Sequence, residues 1–80
     1  MNPRVKNVSY QSPYCLLLVF TNGEEKLFSF QPYLEVPVYQ KLKNEAFAQK
    51  AYCFNGTVAW DNVLDFDPDT LYLESKSLAK

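Results

Sequence analysis

The chain has 80 residues, 48% of them apolar and 16% aromatic. That is enough for one small core and too little for two, since a chain of this size buries only about 60% of its unfolded surface. Eight basic against nine acidic residues give a net charge of -1, which argues against broad attachment to nucleic acid or to an anionic membrane. No apolar run approaches the ~20 residues of a membrane span, and Met1-Asn2-Pro3-Arg4 lacks the apolar core of a signal peptide. The expectation is a cytoplasmic, single-domain protein.

Arg4 to Tyr10 alternates loosely before Ser12-Pro13 interrupts it, and reads as an edge strand. Tyr14 to Phe20 is apolar on both faces, with Tyr14, Leu16, Leu18 and Phe20 on one and Cys15, Leu17 and Val19 on the other. A strand of that kind is central and covered on both sides. Asn22-Gly23 then marks a two-residue hairpin in which both central residues take positive φ, and Glu25 to Phe30 is its return arm. Pro32 and Pro37 bracket a connection that crosses the sheet.

Val38 to Ala48 carries Leu42, Ala46 and Phe47 at helical spacing, which predicts one short amphipathic helix, with a break near Asn44 as an option. Ala51 to Trp60 forms a second hairpin around Asn55-Gly56, with arms so short that it must extend an existing sheet. The tail passes through Asn62, Val63, Leu64 and Phe66 to Asp67-Pro68-Asp69, a helix start in which Asp67 caps and Pro68 fits the first turn. Ser75 to Lys80 reads as a frayed end. The fold class is therefore α+β: a mainly antiparallel sheet of about five strands built from two hairpins, one short amphipathic helix, and a short C-terminal helical turn.

The chain has no histidine, which removes the commonest general base and metal ligand together with every Ser-His or Cys-His nucleophile. Asp65-x-Asp67-x-Asp69 imitates the opening of a calcium loop, but Thr70 and Lys76 stand where that loop needs glycine and glutamate. No catalytic, cofactor-binding or metal residues are assigned, and the protein is expected not to be an enzyme. Cys15 and Cys53 are too few for a disulfide framework and read as reduced thiols in a core. Direct nucleic-acid binding through Tyr39, Lys41, Lys43 and Lys50 lacks a continuous basic track.

What remains is surplus apolar surface. The second face of the central strand, Cys15, Leu17 and Val19, is covered either by the chain's own crossover and C-terminal turn or by another subunit. The second alternative makes this an interaction domain with a protein partner, a homodimer included. The acidic stretch through Asp61, Asp65 and Asp69 and the aromatic anchor Trp60 complete the candidate partner surface, although Trp60 reads more readily as a cap on the core with its indole N–H turned toward the acidic loop. The rival is a small-ligand pocket under the Pro32 to Pro37 crossover, lined by Tyr33, Tyr39 and Trp60.

In its order of features the chain resembles the small bacterial proteins of the domain of unknown function 2442 family. The matching segments are Arg4-Val5-Lys6-Asn7-Val8, Tyr14-x-Leu16-x-Leu18-x-Phe20-x-Asn22-Gly23-Glu24, and Phe28-x-Phe30-x-Pro32-Tyr33-Leu34. Phe47, Thr57-Val58-x-Trp60 and Asp65-Phe66-Asp67-Pro68-Asp69-x-Leu71-Tyr72 follow. The resemblance implies an α+β domain with an antiparallel sheet, found alone or joined to a helix-turn-helix domain. It also implies frequent pairing with an adjacently encoded small protein, in arrangements that look like toxin and antitoxin. It carries over no catalytic residue. The chain departs from the family pattern near Val36-Pro37, where relatives often have glycine, and at Asp61, where a proline is common.

Overall fold

The computed structural model describes residues 2–61 and 64–78 of the chain. Asn62, Val63 and the final two residues, which the sequence reading placed in the tail, lie outside them. Among the described residues, seven strands and two short α-helices follow in order: β1 Val5–Gln11, β2 Cys15–Phe20, β3 Glu25–Ser29, α1 Glu45–Ala48, β4 Tyr52–Phe54, β5 Thr57–Trp60, β6 Leu64–Asp65, α2 Pro68–Glu74 and β7 Lys76–Ser77. Between β3 and α1 the crossover winds as two 3₁₀ segments, Gln31–Glu35 and Pro37–Lys43. The class is α+β, with both sheets antiparallel.

The strands divide into a four-stranded sheet ordered β1-β2-β3-β7 and a three-stranded sheet ordered β4-β5-β6. This differs from the single sheet expected. The segment Ser75 to Lys80 supplies β7, which takes the open edge of β3 by pairing Lys76 with Leu27 and Ser77 with Lys26. The second hairpin does not extend that sheet. The proline-bracketed crossover carries the chain over the inner face, so the hairpin arrives across the core and builds its own sheet with β6. One backbone bond joins the sheets at their rim: the Val5 N–H donates to the Gly56 carbonyl at 2.8 Å.

The pleat sorts the side chains. On β2, Leu16, Leu18 and Phe20 are fully buried and meet Phe28 and Phe30 of the β3 segment. Leu34 and Leu42 from the 3₁₀ segments, Ala48, Val58, Trp60, Phe66 and Leu71 close this core from the other side. All four residues of β5 are buried, because it is the central strand of a small sheet lying against the core.

The short helix expected over Val38 to Ala48 is broken at Asn44, the option its sequence left open, where the Asn44 side chain accepts from the Ala46 N–H and caps α1. Pro37 at the start and a non-helical Asn44 confine the Val38 to Lys43 stretch to 3₁₀ geometry. α2 starts as its sequence directs, with Asp67 accepting from the Thr70 N–H at 3.1 Å, Pro68 in the first turn and Asp69 at the positive dipole end.

The two Asn-Gly pairs are not equivalent. Asn55 (φ 50°) and Gly56 (φ 80°) form the mirror-image turn expected of a two-residue hairpin. In the β2–β3 connection only Gly23 has positive φ, at 88°. There the Gly23 N–H donates to the Phe20 carbonyl and the Phe20 N–H to that of Glu24, so the loop is longer by a bulge. The Asn22 side chain instead accepts from the Glu24 N–H at 3.0 Å.

Candidate functional site

The outer face of the four-stranded sheet follows from β2 being apolar at every position. Its inner residues reach the core, and the alternation forces Cys15, Leu17 and Val19 to the opposite side, where all three are half-buried. The crossover and both helices pack on the inner face, so the chain leaves this row open. The neighbouring strands determine what surrounds it. β1 places Gln11, Ser9 and Asn7 beside Cys15, Leu17 and Val19. β3 places Ser29, Leu27 and Glu25 on the other side, and Lys76 of β7 lies beyond Leu27. Leu78, bonded through its N–H to the Glu25 carbonyl, is 43% exposed. A shallow depression of about 510 Å³ opens between Pro13, Cys15, Leu17, Leu27 and Leu78.

Sequence reasoning missed Leu27 and Leu78 as members of this face. Leu27 carried a signal, since it falls out of phase with the inward Phe28 and Phe30. Leu78 carried none, because it lies in the segment read as frayed. The thiols are free, but neither is in the core: Cys15 is half-buried on the outer face, and Cys53 is exposed, its S–H directed to the Val5 carbonyl at 3.2 Å.

The remaining candidates lie elsewhere. Trp60 is fully buried, and its indole N–H donates to the Ala48 carbonyl at 2.9 Å. It is a core residue bound to the end of α1, so it is unavailable to a partner and does not turn toward the acidic loop. Asp61, Asp65 and Asp69 are exposed on the second sheet, its rim and α2, with the core between them and the Cys15–Leu17–Val19 row. The two parts of the expected partner surface are therefore separate surfaces. Asp61 has φ 56°, a conformation closed to the proline that the family resemblance leads one to expect there. Asp69 accepts from the Asn2 side-chain amide at 3.3 Å.

The space between Tyr33, Tyr39 and Trp60, expected as a ligand pocket, is filled by the Phe66 ring. Tyr39 stacks on Phe66 at 4.5 Å between centroids, while Tyr33 and Trp60 meet it edge-on at 5.2 and 5.8 Å. Four rings at these separations are a packed aromatic cluster. Among the described residues no group of three or more histidine, cysteine, aspartate or glutamate side chains is placed to hold a metal ion. No helix among them is long and apolar enough to cross a membrane.

Three tyrosine–glutamate hydrogen bonds, invisible in the sequence, tie distant segments together. The Tyr10 hydroxyl donates to Glu45, joining β1 to α1, and Ser12 donates to the same carboxylate at 2.8 Å. The Tyr72 hydroxyl donates to Glu24, joining α2 to the first hairpin turn, and the Tyr33 hydroxyl donates to Glu74, joining the crossover to the end of α2. The donated bonds hold the Glu24 and Glu45 carboxyls below the usual range. The bond to Glu74, with burial second, pushes the Tyr33 phenol up to about 12. Lys26 adds a fourth link, donating to the Tyr72 carbonyl at 2.7 Å with its ammonium 3.8 Å from that ring's centroid. Each of these groups faces a partner within the chain. They brace the inner side and leave the outer sheet face uninvolved.

No curated protein and no solved structure matches the chain. A family model does, described as a protein of unknown function and covering residues 5–77, nearly the whole folded unit. The chain belongs to the DUF2442 family.

Proposed function

We propose that this chain is a non-enzymatic protein-interaction module that presents the outer face of its four-stranded sheet to a protein partner. The observation that carries this is the row Cys15, Leu17 and Val19 with Leu27 and Leu78, left open on a sheet whose other face is fully packed. Apolar groups gathered on one face of a small domain mark an interaction site more often than singly scattered ones. The inner side supports the same reading, since its aromatics fill their own space and Tyr10, Tyr33 and Tyr72 are each bonded to a glutamate of the same chain. In its finer form the module is an accessory or antitoxin-like partner of a small protein encoded beside it, acting in the cytoplasm. The exposed acids Asp61, Asp65 and Asp69 form a second, weaker surface that would favour a basic partner.

The test places p-benzoylphenylalanine at Leu17 and, as a control, at the exposed Gln40 of the crossover, with irradiation in the native host and in cells co-expressing the neighbouring gene product. A discrete adduct from position 17 alone, lost on Leu27→Lys, is the expected result. Equal adducts at both positions, or none at 17, would remove the proposal.

A further inference from the structure

We infer that the open end of the β3 edge binds a free, zwitterionic α-amino acid. Along β3 the backbone bonds alternate between β2 on one side and β7 on the other. The Phe20 N–H donates to the Glu24 carbonyl and the Phe30 N–H to the Tyr14 carbonyl, so the even-numbered residues of this segment face β2. The odd-numbered ones face the other edge, where the Leu78 N–H donates to the Glu25 carbonyl and Lys76 pairs with Leu27. Ser29 is the next of these, and β7 stops short of it, since Lys76 follows the end of α2 by one residue. The Ser29 N–H and carbonyl therefore point off the sheet edge, bonded to no described residue. The 3₁₀ segment that follows cannot take the carbonyl, because the residue three places on is Pro32, which has no N–H.

A strand end of this kind ordinarily faces open water. Ser29 instead borders a cavity of about 390 Å³ that it shares with Leu27, Pro32, Tyr33, Glu74 and Lys76, a volume within the range of small-molecule sites. Glu74 and Lys76 bring opposite charges to this one cavity, yet neither is ion-paired, with the other or with any further described residue. One Glu74 oxygen accepts from the Tyr33 hydroxyl, which orients the carboxylate and leaves its second oxygen for a ligand. The direction of β3 orders these groups. The Ser29 N–H lies toward Leu27 and its partner Lys76, and the Ser29 carbonyl toward Pro32, Tyr33 and Glu74.

A donor with a cation at one end of the cavity, and an acceptor with an anion at the other, match the two ends of an α-amino acid. Its carboxylate accepts from the Ser29 N–H and the Lys76 ammonium, and its own ammonium donates to the Ser29 carbonyl and to Glu74. The two backbone bonds are those that a hydrogen-bonded pair exchanges across antiparallel strands, so one residue's length of ligand spans them. Leu27 and Pro32 supply apolar wall for the side chain, which selects an aliphatic residue such as leucine. The carboxyl terminus of a peptide would satisfy Lys76 but set an uncharged amide against Glu74, so the free amino acid is the better match. The site shares Leu27 with the partner face and does not otherwise depend on it.

The test titrates the common L-amino acids singly, leucine first, into the full 80-residue chain and follows the amide chemical shifts. Saturable shifts centred on Ser29 and Lys76, with a Kd of about 1 mM or tighter for at least one aliphatic amino acid, are the expected result. The amide of that amino acid, which lacks the carboxylate, and its N-acetyl derivative, which lacks the ammonium, should each bind at least about tenfold more weakly. Lys76→Gln and Glu74→Gln change exposed residues. Checked for folding by circular dichroism, each should weaken the parent amino acid by a similar factor. Lys76→Gln should cost the amide little more, and Glu74→Gln should cost the N-acetyl derivative little more, which identifies the charge that each side chain meets. Tyr33→Phe, which leaves Glu74 charged but unoriented, should weaken binding less than Glu74→Gln. Absence of a saturable Ser29 shift with any amino acid of the panel overturns the inference. So does an N-acetyl derivative that binds as tightly as its parent, which would make the ligand a terminal carboxylate, and so does binding that survives both charge removals.

Discussion

Gly23 and Gly56 have nearly the same backbone conformation, φ 88° and 80°, yet alanine at the two positions should have different effects. At either site a Cβ in the left-handed region costs about 1 kcal/mol. At Gly23 nothing lies within 4 Å of the added atom, so that is the whole effect. At Gly56 the new Cβ would stand 2.9 Å from the Arg4 Cβ and 3.1 Å from its Cγ and Cδ. The Cβ cannot swing away as the tip of a side chain would, so the strand start must move, and with it the Val5 N–H bond to the Gly56 carbonyl that joins the two sheets. Backbone displacement of this kind adds about 1–2 kcal/mol, for a total of about 2–3 kcal/mol. In a domain of this size 1 kcal/mol moves Tm by roughly 4–8 °C, so Gly23→Ala should lower it by about 4–8 °C and Gly56→Ala by about 10–20 °C. Urea and thermal unfolding followed by the fluorescence of the single, buried Trp60 would measure both. Equal losses for the two variants would refute the close approach of Arg4 and the hairpin turn as a structural joint.

Trp60→Phe should destabilise the chain by about 2–3 kcal/mol in the same assay, since it opens a cavity in the core and leaves the Ala48 carbonyl with only its longer bond from the Ala51 N–H at 3.3 Å. Asp67→Ala should cost about 1 kcal/mol through loss of the α2 cap, with Asp67→Asn retaining most of it. Glu24 and Glu45 have folded pKa values below their unfolded 4.5, so their bonds stabilise the fold above that pH, and the contribution is lost as pH falls through the lowered values. Thermal midpoints should therefore decline below about pH 4.5, and less steeply in Tyr72→Phe and Tyr10→Phe. Tyr33 has the opposite sign. Its phenol titrates at about 12 in the fold against 10.0 unfolded, so stability present below pH 10 is lost as pH rises toward 12, and Tyr33→Phe should flatten that alkaline limb.

What the sequence disclosed was mostly local. The β2 alternation, the Asn55-Gly56 turn and the Asp67-Pro68-Asp69 helix start are set by residues close in the chain, and each takes its expected form. Asn22-Gly23 misled because the motif specifies positive φ at glycine but not the loop length, which the Asn22 bond to Glu24 also influences. The division into two sheets could not be read from any segment, because it depends on β7 occupying the β3 edge and on where the crossover delivers the second hairpin. The row Cys15, Leu17 and Val19 was legible as surplus apolar surface, whereas its companions Leu27 and Leu78 needed the strand register. Trp60 lies in the core, as its residue type favoured, but its indole N–H is bound to a helix end and not turned toward the acidic loop, a partner that only the fold supplies.

The most direct measurement bears on which surface meets the partner. Methyl resonances of Leu17, Leu27 and Leu78, together with the Trp60 indole N–H and the amides of Asp61, Asp65 and Asp69, can be followed as the protein cross-linked at position 17 is titrated into the labelled chain. Saturable shifts of the three leucines, with the Trp60 indole unchanged, are the expected result. Unperturbed leucines with shifts at Asp61, Asp65 and Asp69 would place the interface on the opposite side of the molecule and contradict the role given to the outer sheet face.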